Sequence, residues 1–259
     1  FAHAEYENNG KPAKASTGDE SPPAETEEPK TIVGNAFKDE VIWECRTCRA
    51  CSEVCPAHLE HVPLIMELRR GEVMMRGQVP SEAAVALKTF ERAGNPFGPQ
   101  EERSKWIQDM RIPVIREGEE CEALLWIGCT TTFDQIKQKV AYHVLTILHE
   151  AGIHAGVMGD DEFCCGDPAR LLGDENLFQA HVKNQIQRIQ SRKFKYLVTQ
   201  CPHCYNVFKN EYPQFGAAFQ VFHHTEVIHE LIKNQRIDLE MPVERTIAYH
   251  DPCYLGRYN

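Results

Sequence analysis

The sequence predicts an α/β protein in two unlike parts: a small helical domain holding a tight cysteine cluster, then a three-layer α/β domain built on a parallel sheet. Three observations predict it. Helical spacing and Pro-Gly punctuation run from Phe37 to about Ile115. Beyond about Glu120, short apolar runs alternate with helix-like segments, the texture of parallel strands joined by helices. Most of the eleven cysteines fall into two patterned groups, one in each part.

Taken in order, residues 1–36 carry an acidic stretch rich in Pro, Ala, Ser and Thr (KPAKASTGDESPPAETEEPK, 11–30). It has no aliphatic periodicity and cannot bury enough surface to offset chain entropy, so it reads as a disordered linker. Residues 37–118 form the helical domain, with Asn95 to Pro99 (NPFGP) as a break. In residues 119–245 the expected strands are ALLWIG (123–128), IHAGVMG (153–159), KYLVTQ (195–200) and FQVFHH (219–224). A fifth run, TIAYH (246–250), opens a last segment, 246–259. The strongest helix expected is Thr132 to Glu150, with Phe133, Ile136, Val140, Val144 and Leu148 as its core stripe.

Composition narrows the function. With 42% hydrophobic and 25% charged residues, the 259-residue chain is ordinary for a soluble globular protein, and no stretch approaches the roughly 20 apolar residues of a membrane helix. Lys and Arg total 28 against 38 Asp and Glu, a net charge of -10, which disfavours phosphate-driven binding and leads us to expect no nucleic-acid partner. The chain starts at Phe1 and stops six residues after Cys253, and it reads as a soluble piece of a longer protein. An odd cysteine number, tight C-x-x-C spacing and no N-x-S/T signal favour a reducing compartment, where thiolates are kept for metal.

Cys45, Cys48, Cys51, Cys55 and Pro56 form C-x2-C-x2-C-x3-C-P, the bacterial ferredoxin run for a [4Fe-4S] cubane. Two-residue gaps wrap three thiolates around one cube, while the fourth cysteine of such runs serves a neighbouring cluster. Residues 1–44 hold no cysteine, so either Cys55 completes its own cube or its partner run precedes Phe1; the second is the preferred expectation. Arg46 and Arg49, inside the run, are candidates for raising the cluster potential by Coulomb attraction.

The second group is Cys129, the adjacent pair Cys164 and Cys165 followed by Gly166, then Cys201 and Cys204. On the α/β reading, each segment follows a strand, and the carboxyl ends of parallel strands are where such sheets place ligands. Five sulfurs from three distant segments would then converge, with Gly166 allowing close backbone approach. A strained disulfide between neighbours and a zinc site using four of the five are the competing readings. Cys121 reads as a buried apolar residue. His203 reads as packing or a hydrogen bond to sulfur, and His223 and His224 receive no role.

Together these motifs resemble the cysteine-rich CCG domain of heterodisulfide reductase catalytic subunits and their relatives. The blocks IWECRTCRACSEVCPAHLEHVPLIMELRR, FCCGDPARLLGDENLFQ, CPHCYNVFKNEYPQFG and YHDPCYLGRYN resemble most closely the electron-transfer-flavoprotein:menaquinone oxidoreductase branch. The resemblance spans about Val41 to Asn259. It implies a cubane on Cys45, Cys48 and Cys51, with Cys55 reaching a preceding run. It also implies a second iron-sulfur cluster, non-cubane in heterodisulfide reductase, on Cys129, Cys164, Cys165, Cys201 and Cys204, and a truncated second CCG copy whose first ligand is Cys253. The implied role is electron transfer from reduced electron-transfer flavoprotein, or another flavoprotein donor, to a membrane quinone through an upstream membrane region, at the cytoplasmic face of the cell membrane. The alternative is disulfide and thiol redox catalysis at the CCG cluster. Two departures stand out: Arg49, where the family more often has a small residue, and the full Cys164-Cys165 pair, where this branch often carries one cysteine.

Overall fold

The computed structural model describes residues 31–99 and 101–259, and for residues 101–104 the backbone alone. Of the disordered linker expected over residues 1–36, residues 1–30 lie outside the described residues, while 31–36 fold as a turn and correct the last part of that expectation. From Thr31 the chain makes a turn closed by the Phe37 amide on the Ile32 carbonyl (3.1 Å), with Val33 buried. Five helices follow: α1 (Asp39–Glu44), α2 (Ala50–Glu53), α3 (His61–Arg76), α4 (Ser81–Ala93) and α5 (Glu101–Asp109). Helices α3 and α4 both stop at a glycine in the left-handed region, Gly77 (φ 66°) and Gly94 (φ 68°), a conformation that costs a side-chain-bearing residue more than glycine.

Among the described residues, four strands form one parallel sheet in the order β2-β1-β3-β4. They are β1 (Ala123–Trp126), β2 (Ala155–Val157), β3 (Tyr196–Thr199) and β4 (Gln220–His223). Leu124 pairs with Gly156 on one side and Leu197 on the other. Every residue of β1 is buried, which is why ALLW shows no polar alternation: a parallel strand covered on both faces is apolar throughout. The crossovers are α6 (Cys129–Thr132) with α7 (Gln135–Glu150), α8 (Asp167–Leu171) with α9 (Glu175–Gln190), and α10 (Pro202–Asn206). After β4 come α11 (His224–Lys233) and α12 (Cys253–Gly256). Asp134 caps α7 by accepting the Ile136 and Lys137 amides, and Asp174 caps α9 through the Leu177 amide.

Both sheet faces draw on the helical region. On one face Leu87 and Phe90 of α4 pack with Trp126, Phe178 of α9 and Leu197. On the other, Trp106 and Ile107 of α5 pack with Leu125, Leu145 of α7 and Val198.

Two further expectations need correction. The α7 stripe is buried only in its second half: Val144 and Leu148 are in the core with Ala141 and Leu145, whereas Ile136 is 76% exposed and Phe133 and Val140 are also exposed. A helix of 16 residues is about 24 Å long, and strands of three or four residues cannot cover all of it. The TIAYH run forms no strand; Ile247 and Tyr249 are 73% and 78% exposed, and the run pairs with neither sheet edge.

Candidate functional site

The first turns after three adjacent strands meet at one end of the sheet. Cys129 opens α6 three residues after β1, Cys164 and Cys165 lie in the loop after β2, and Cys201 is the N-cap of α10 just past β3. Their sulfurs touch in sequence across the site. Cys164 Sγ is 3.5 Å from Cys129 Sγ, and Cys204 Sγ is 3.3 Å from Cys165 Sγ. Cys164 and Cys165 also act on each other's acidity, as do Cys201 and Cys204. None of the described cysteines is in a disulfide.

Contact between thiols splits their acidities. The hydrogen bond from Cys204, helped by amides of α10 and the nearby His203, holds Cys201 down at about 6 despite its burial. Hydrogen bonds from Cys164 and Cys204 also lower Cys165. The donors are pushed the other way: Cys204 rises through its bonds to Cys165 and Cys201 and through burial. In Cys164, the bond with Cys129 pulls down, but the bond to Cys165 and burial outweigh it. The site therefore favours thiolate at two positions and keeps protons on others.

The loops that carry these sulfurs are clamped by groups the sequence did not advertise. Glu162 is completely buried, and its carboxylate accepts the Ile127 amide (3.0 Å) and the Gly128 amide (2.7 Å), tying the approach to Cys129 to the loop before Cys164. Tyr212 donates its hydroxyl to the Cys165 carbonyl (2.9 Å), and His181 Nε2 meets the Cys164 carbonyl at 2.7 Å. The Cys164 amide donates to Gly94 at the end of α4 (3.0 Å). Gly166 sits at φ 96°, and a Cβ there would lie 3.0 Å from the Phe178 ring, so the close approach expected of it is real.

His203 touches no sulfur among its described hydrogen bonds. Its Nδ1 pairs with Asp167 Oδ2 at 2.9 Å and its ring lies against Tyr254, centroids 4.1 Å apart. Burial lowers its pKa, but Asp167 and Cys201 raise it more, so the net direction is up. His223 and His224 are structural. The His223 amide donates to Glu226 Oε2 (2.7 Å) in a capping box that starts α11, and burial with the neighbouring His223 takes His224 down to about 4. Cys121 sits in the apolar core, where burial pushes its thiol up to about 11.

The ferredoxin-type run is arranged differently. Cys45, Cys48 and Cys55 are half-buried and Cys51 is exposed, and no hydrogen bond joins two of their sulfurs. Thr47 (φ 52°) and Arg49 (φ 58°) take the left-handed conformation inside the loop, and the Thr47 amide donates to Cys45 Sγ at 3.4 Å. The two expected arginines have different surroundings. Arg46 is exposed, while Arg49 pairs with Glu60 (2.6 Å) and lies over Tyr258. Arg69, passed over in the sequence, is the buried cation here: it donates to the carbonyls of Cys45 (2.6 Å), Ile42 (2.8 Å) and Leu171 (2.9 Å). Its placement depends on contacts 24 to 102 residues away, which no local pattern encodes.

Cys253 is tied to the first cysteine loop. Arg257 Nη1 donates to its sulfur (3.1 Å) and to the Cys48 carbonyl (3.3 Å), placing the HDPC segment beside the first cysteine loop.

Among the described residues no three His, Cys, Asp or Glu side chains are set to hold a single metal ion, and the five sulfurs are instead held in thiol-to-thiol pairs. Metal would enter by displacing the thiol protons. The donor set suits a thiophilic, multi-iron centre: five sulfurs meet, one more than a tetrahedral zinc site uses.

Residues 123–209 match the family described as a cysteine-rich domain, CCG. The chain is 40% identical over 255 residues to the probable iron-sulfur-binding oxidoreductase FadF of Bacillus subtilis, covering 95% of this chain and 36% of that protein. It is 36% identical over 236 residues to the EtfAB:quinone oxidoreductase of Syntrophomonas wolfei, covering 89% of this chain and 33% of that one. A component of the dihydromethanophenazine:CoB–CoM heterodisulfide reductase of Methanosarcina barkeri is 28% identical over 230 residues, 86% of this chain and 54% of that component. The chain thus spans about a third of the length of the first two relatives. No solved structure matches it.

Proposed function

Starting from a chain that contains a CCG cysteine-rich domain and is related to iron-sulfur oxidoreductases, we propose that it is an iron-sulfur electron-transfer module, passing electrons from a reduced flavoprotein of the electron-transfer-flavoprotein type towards a membrane quinone. The observation that carries the proposal is the convergence of Cys129, Cys164, Cys165, Cys201 and Cys204 at the carboxyl ends of three adjacent parallel strands. These five would hold one cluster. Cys45, Cys48 and Cys51 would hold the cubane, with Cys55 directed to a neighbouring one, and Cys253 would serve a further CCG site. An iron-sulfur cluster, when bound, supplies a one-electron carrier.

The chain's own residues supply position and charge. Glu162, Tyr212 and His181 fix the backbone that presents the five sulfurs, and the two acid-shifted thiols, Cys165 and Cys201, are the readiest to ligate. The Arg69 guanidinium, bonded to the Cys45 carbonyl, favours the more negative state of whatever that loop holds. None of these roles moves a proton to or from a substrate. Reading the donor as a flavoprotein and the acceptor as a quinone is supported by the name of the Syntrophomonas relative. Among the described residues no helix is long and apolar enough to cross a membrane.

A second reading, thiol and disulfide redox catalysis at the five-sulfur site, is favoured by the complete Cys164-Cys165 pair and by the heterodisulfide reductase relative. One experiment separates the two. The anaerobically purified protein is analysed for iron and acid-labile sulfide, then mixed with reduced electron-transfer flavoprotein and followed by low-temperature EPR. Reduction of the clusters on a turnover timescale is expected. Clusters that stay oxidised with the flavoprotein, yet change their signal with a dithiol substrate, would give the second reading first place; a colourless, sulfide-free zinc protein would sink both.

A further inference from the structure

The two cysteine sites are joined by one side chain from the far end of the chain. Tyr254, in α12, is buried between them. On one side its ring lies 4.1 Å, centroid to centroid and tilted by 31°, from His203, the residue between Cys201 and Cys204. On the other its hydroxyl is 2.7 Å from Thr47 Oγ1, inside the Cys45–Cys48 turn. The Thr47 hydroxyl is also 2.7 Å from the Arg46 carbonyl and donates its hydrogen there, so Tyr254 is the donor to Thr47. The Thr47 amide then points at Cys45 Sγ (3.4 Å).

The neighbours hold this arrangement rigid. Tyr258 stacks on Tyr254 at 4.4 Å and 10° and donates its own hydroxyl to the Thr47 carbonyl. Arg49 covers Tyr258, and Asp167 fixes the His203 ring from behind. The contacts reach across more than 200 residues of sequence, yet they form an unbroken series of ring stack, hydrogen bond and amide-to-sulfur bond from the Cys201–Cys204 helix to Cys45.

We infer that Tyr254 is the bridge between the two cysteine sites: a positioning residue that keeps the Cys45–Cys55 loop in register with the Cys201–Cys204 helix and couples the clusters held at either end. The inference rests on the iron-sulfur reading above. The step it serves moves one electron and no proton. With clusters bound, the site of lower potential would give up one electron, the other would take it, and the reduced flavoprotein would replace it. The Tyr254 hydroxyl keeps its hydrogen throughout.

The test compares Tyr254→Phe and Tyr254→Leu with the unsubstituted protein in its cluster-loaded form. Iron and sulfide content and the EPR spectrum of each cluster are measured first, then the rate at which a single flash-injected electron equilibrates between the sites. Phe keeps the stack and loses the bond to Thr47; Leu loses both. The expected result is unchanged cluster content and spectra in the Phe variant with equilibration slowed several-fold, and slower still in Leu. Amide hydrogen exchange at residues 46–49 is expected to quicken by about fivefold to tenfold in the Phe variant, the cost of one buried hydrogen bond. Equilibration at the unsubstituted rate in both variants, with clusters intact, would overturn the inference alone. So would loss of either cluster from the Phe variant, since the residue would then be a support for ligation. Absence of iron and sulfide from the unsubstituted protein would overturn the functional reading and this inference with it.

Discussion

The two cysteine groups are built in opposite ways. The five sulfurs of Cys129, Cys164, Cys165, Cys201 and Cys204 are drawn together by a folded core, touch one another at 3.3 and 3.5 Å, and hang on loops tied down by a buried carboxylate, a tyrosine and a histidine. The run Cys45 to Cys55 sits on a partly exposed loop whose sulfurs share no hydrogen bond, and its shape comes from two left-handed residues and one buried arginine. Tertiary packing sets the geometry of the first group, and local backbone conformation sets that of the second.

The largest effect expected from breaking this contrast is Cys201→Ser. Replacing the acid-shifted thiol should abolish the EPR signal of the CCG site and leave the ferredoxin-type signal intact; simultaneous loss of both would argue against two independent sites. Next comes Arg69→Met, which orphans three carbonyls and unties the Cys45 loop from Leu171. We expect a loss of about 3 kcal/mol in urea unfolding, with the ferredoxin-type cluster lost more readily than the other. Glu162→Gln keeps the shape but removes the charge that two amides bond to; about 2 kcal/mol of stability should go, and here the CCG cluster should be the labile one. If Arg69→Met and Glu162→Gln weaken the same cluster, the assignment of one clamp to each site is wrong.

Acidity sharpens the same contrast in metal-free protein. Cys201, held down at about 6, is thiolate at neutral pH and should be alkylated by iodoacetamide at pH 7, with the rate falling away as pH drops below about 6. Cys121, pushed up to about 11 in the core, should stay unlabelled over the same range; peptide mass mapping reads both. The smallest effect should come from Arg49→Gly. It relieves a left-handed residue, a gain of about 1 kcal/mol, and loses a partly exposed ion pair with Glu60 and the cover over Tyr258, together about 1 to 2 kcal/mol, so unfolding should shift by no more than about 1 kcal/mol.

Much of this was legible in the sequence. Four apolar runs became the four strands, and the cysteines that follow three of those runs lie just past strand ends as the α/β reading expected. What was hidden had a common cause. Glu162 and Arg69 are residue types whose default place is the surface and Tyr254 one that is buried as often as not, and each is held by partners 24 to 207 residues distant. The half-exposed α7 stripe failed for a related reason: periodicity tells which side of a helix is apolar, while the length of the neighbouring sheet decides how much of that side is covered. TIAYH had the composition of a strand, but composition cannot provide an edge to pair with.

The end of α4 has a further consequence, for how such proteins can be recombined. The Cys164 amide donates to the Gly94 carbonyl, and Gly94 must stay a glycine because a Cβ there would lie 2.2 Å from the Phe163 ring. The cysteine pair is therefore built half on the sheet and half on the helical region. A gene fusion or truncation cut near residue 118 would strip the acceptor from that amide and uncover Phe163 beside the pair. Exchange of whole modules between relatives must carry α4 along with the cysteine-rich domain, and α3 too, whose Arg69 is bonded to the Leu171 carbonyl; the seam for swapping parts does not lie where the sequence changes texture.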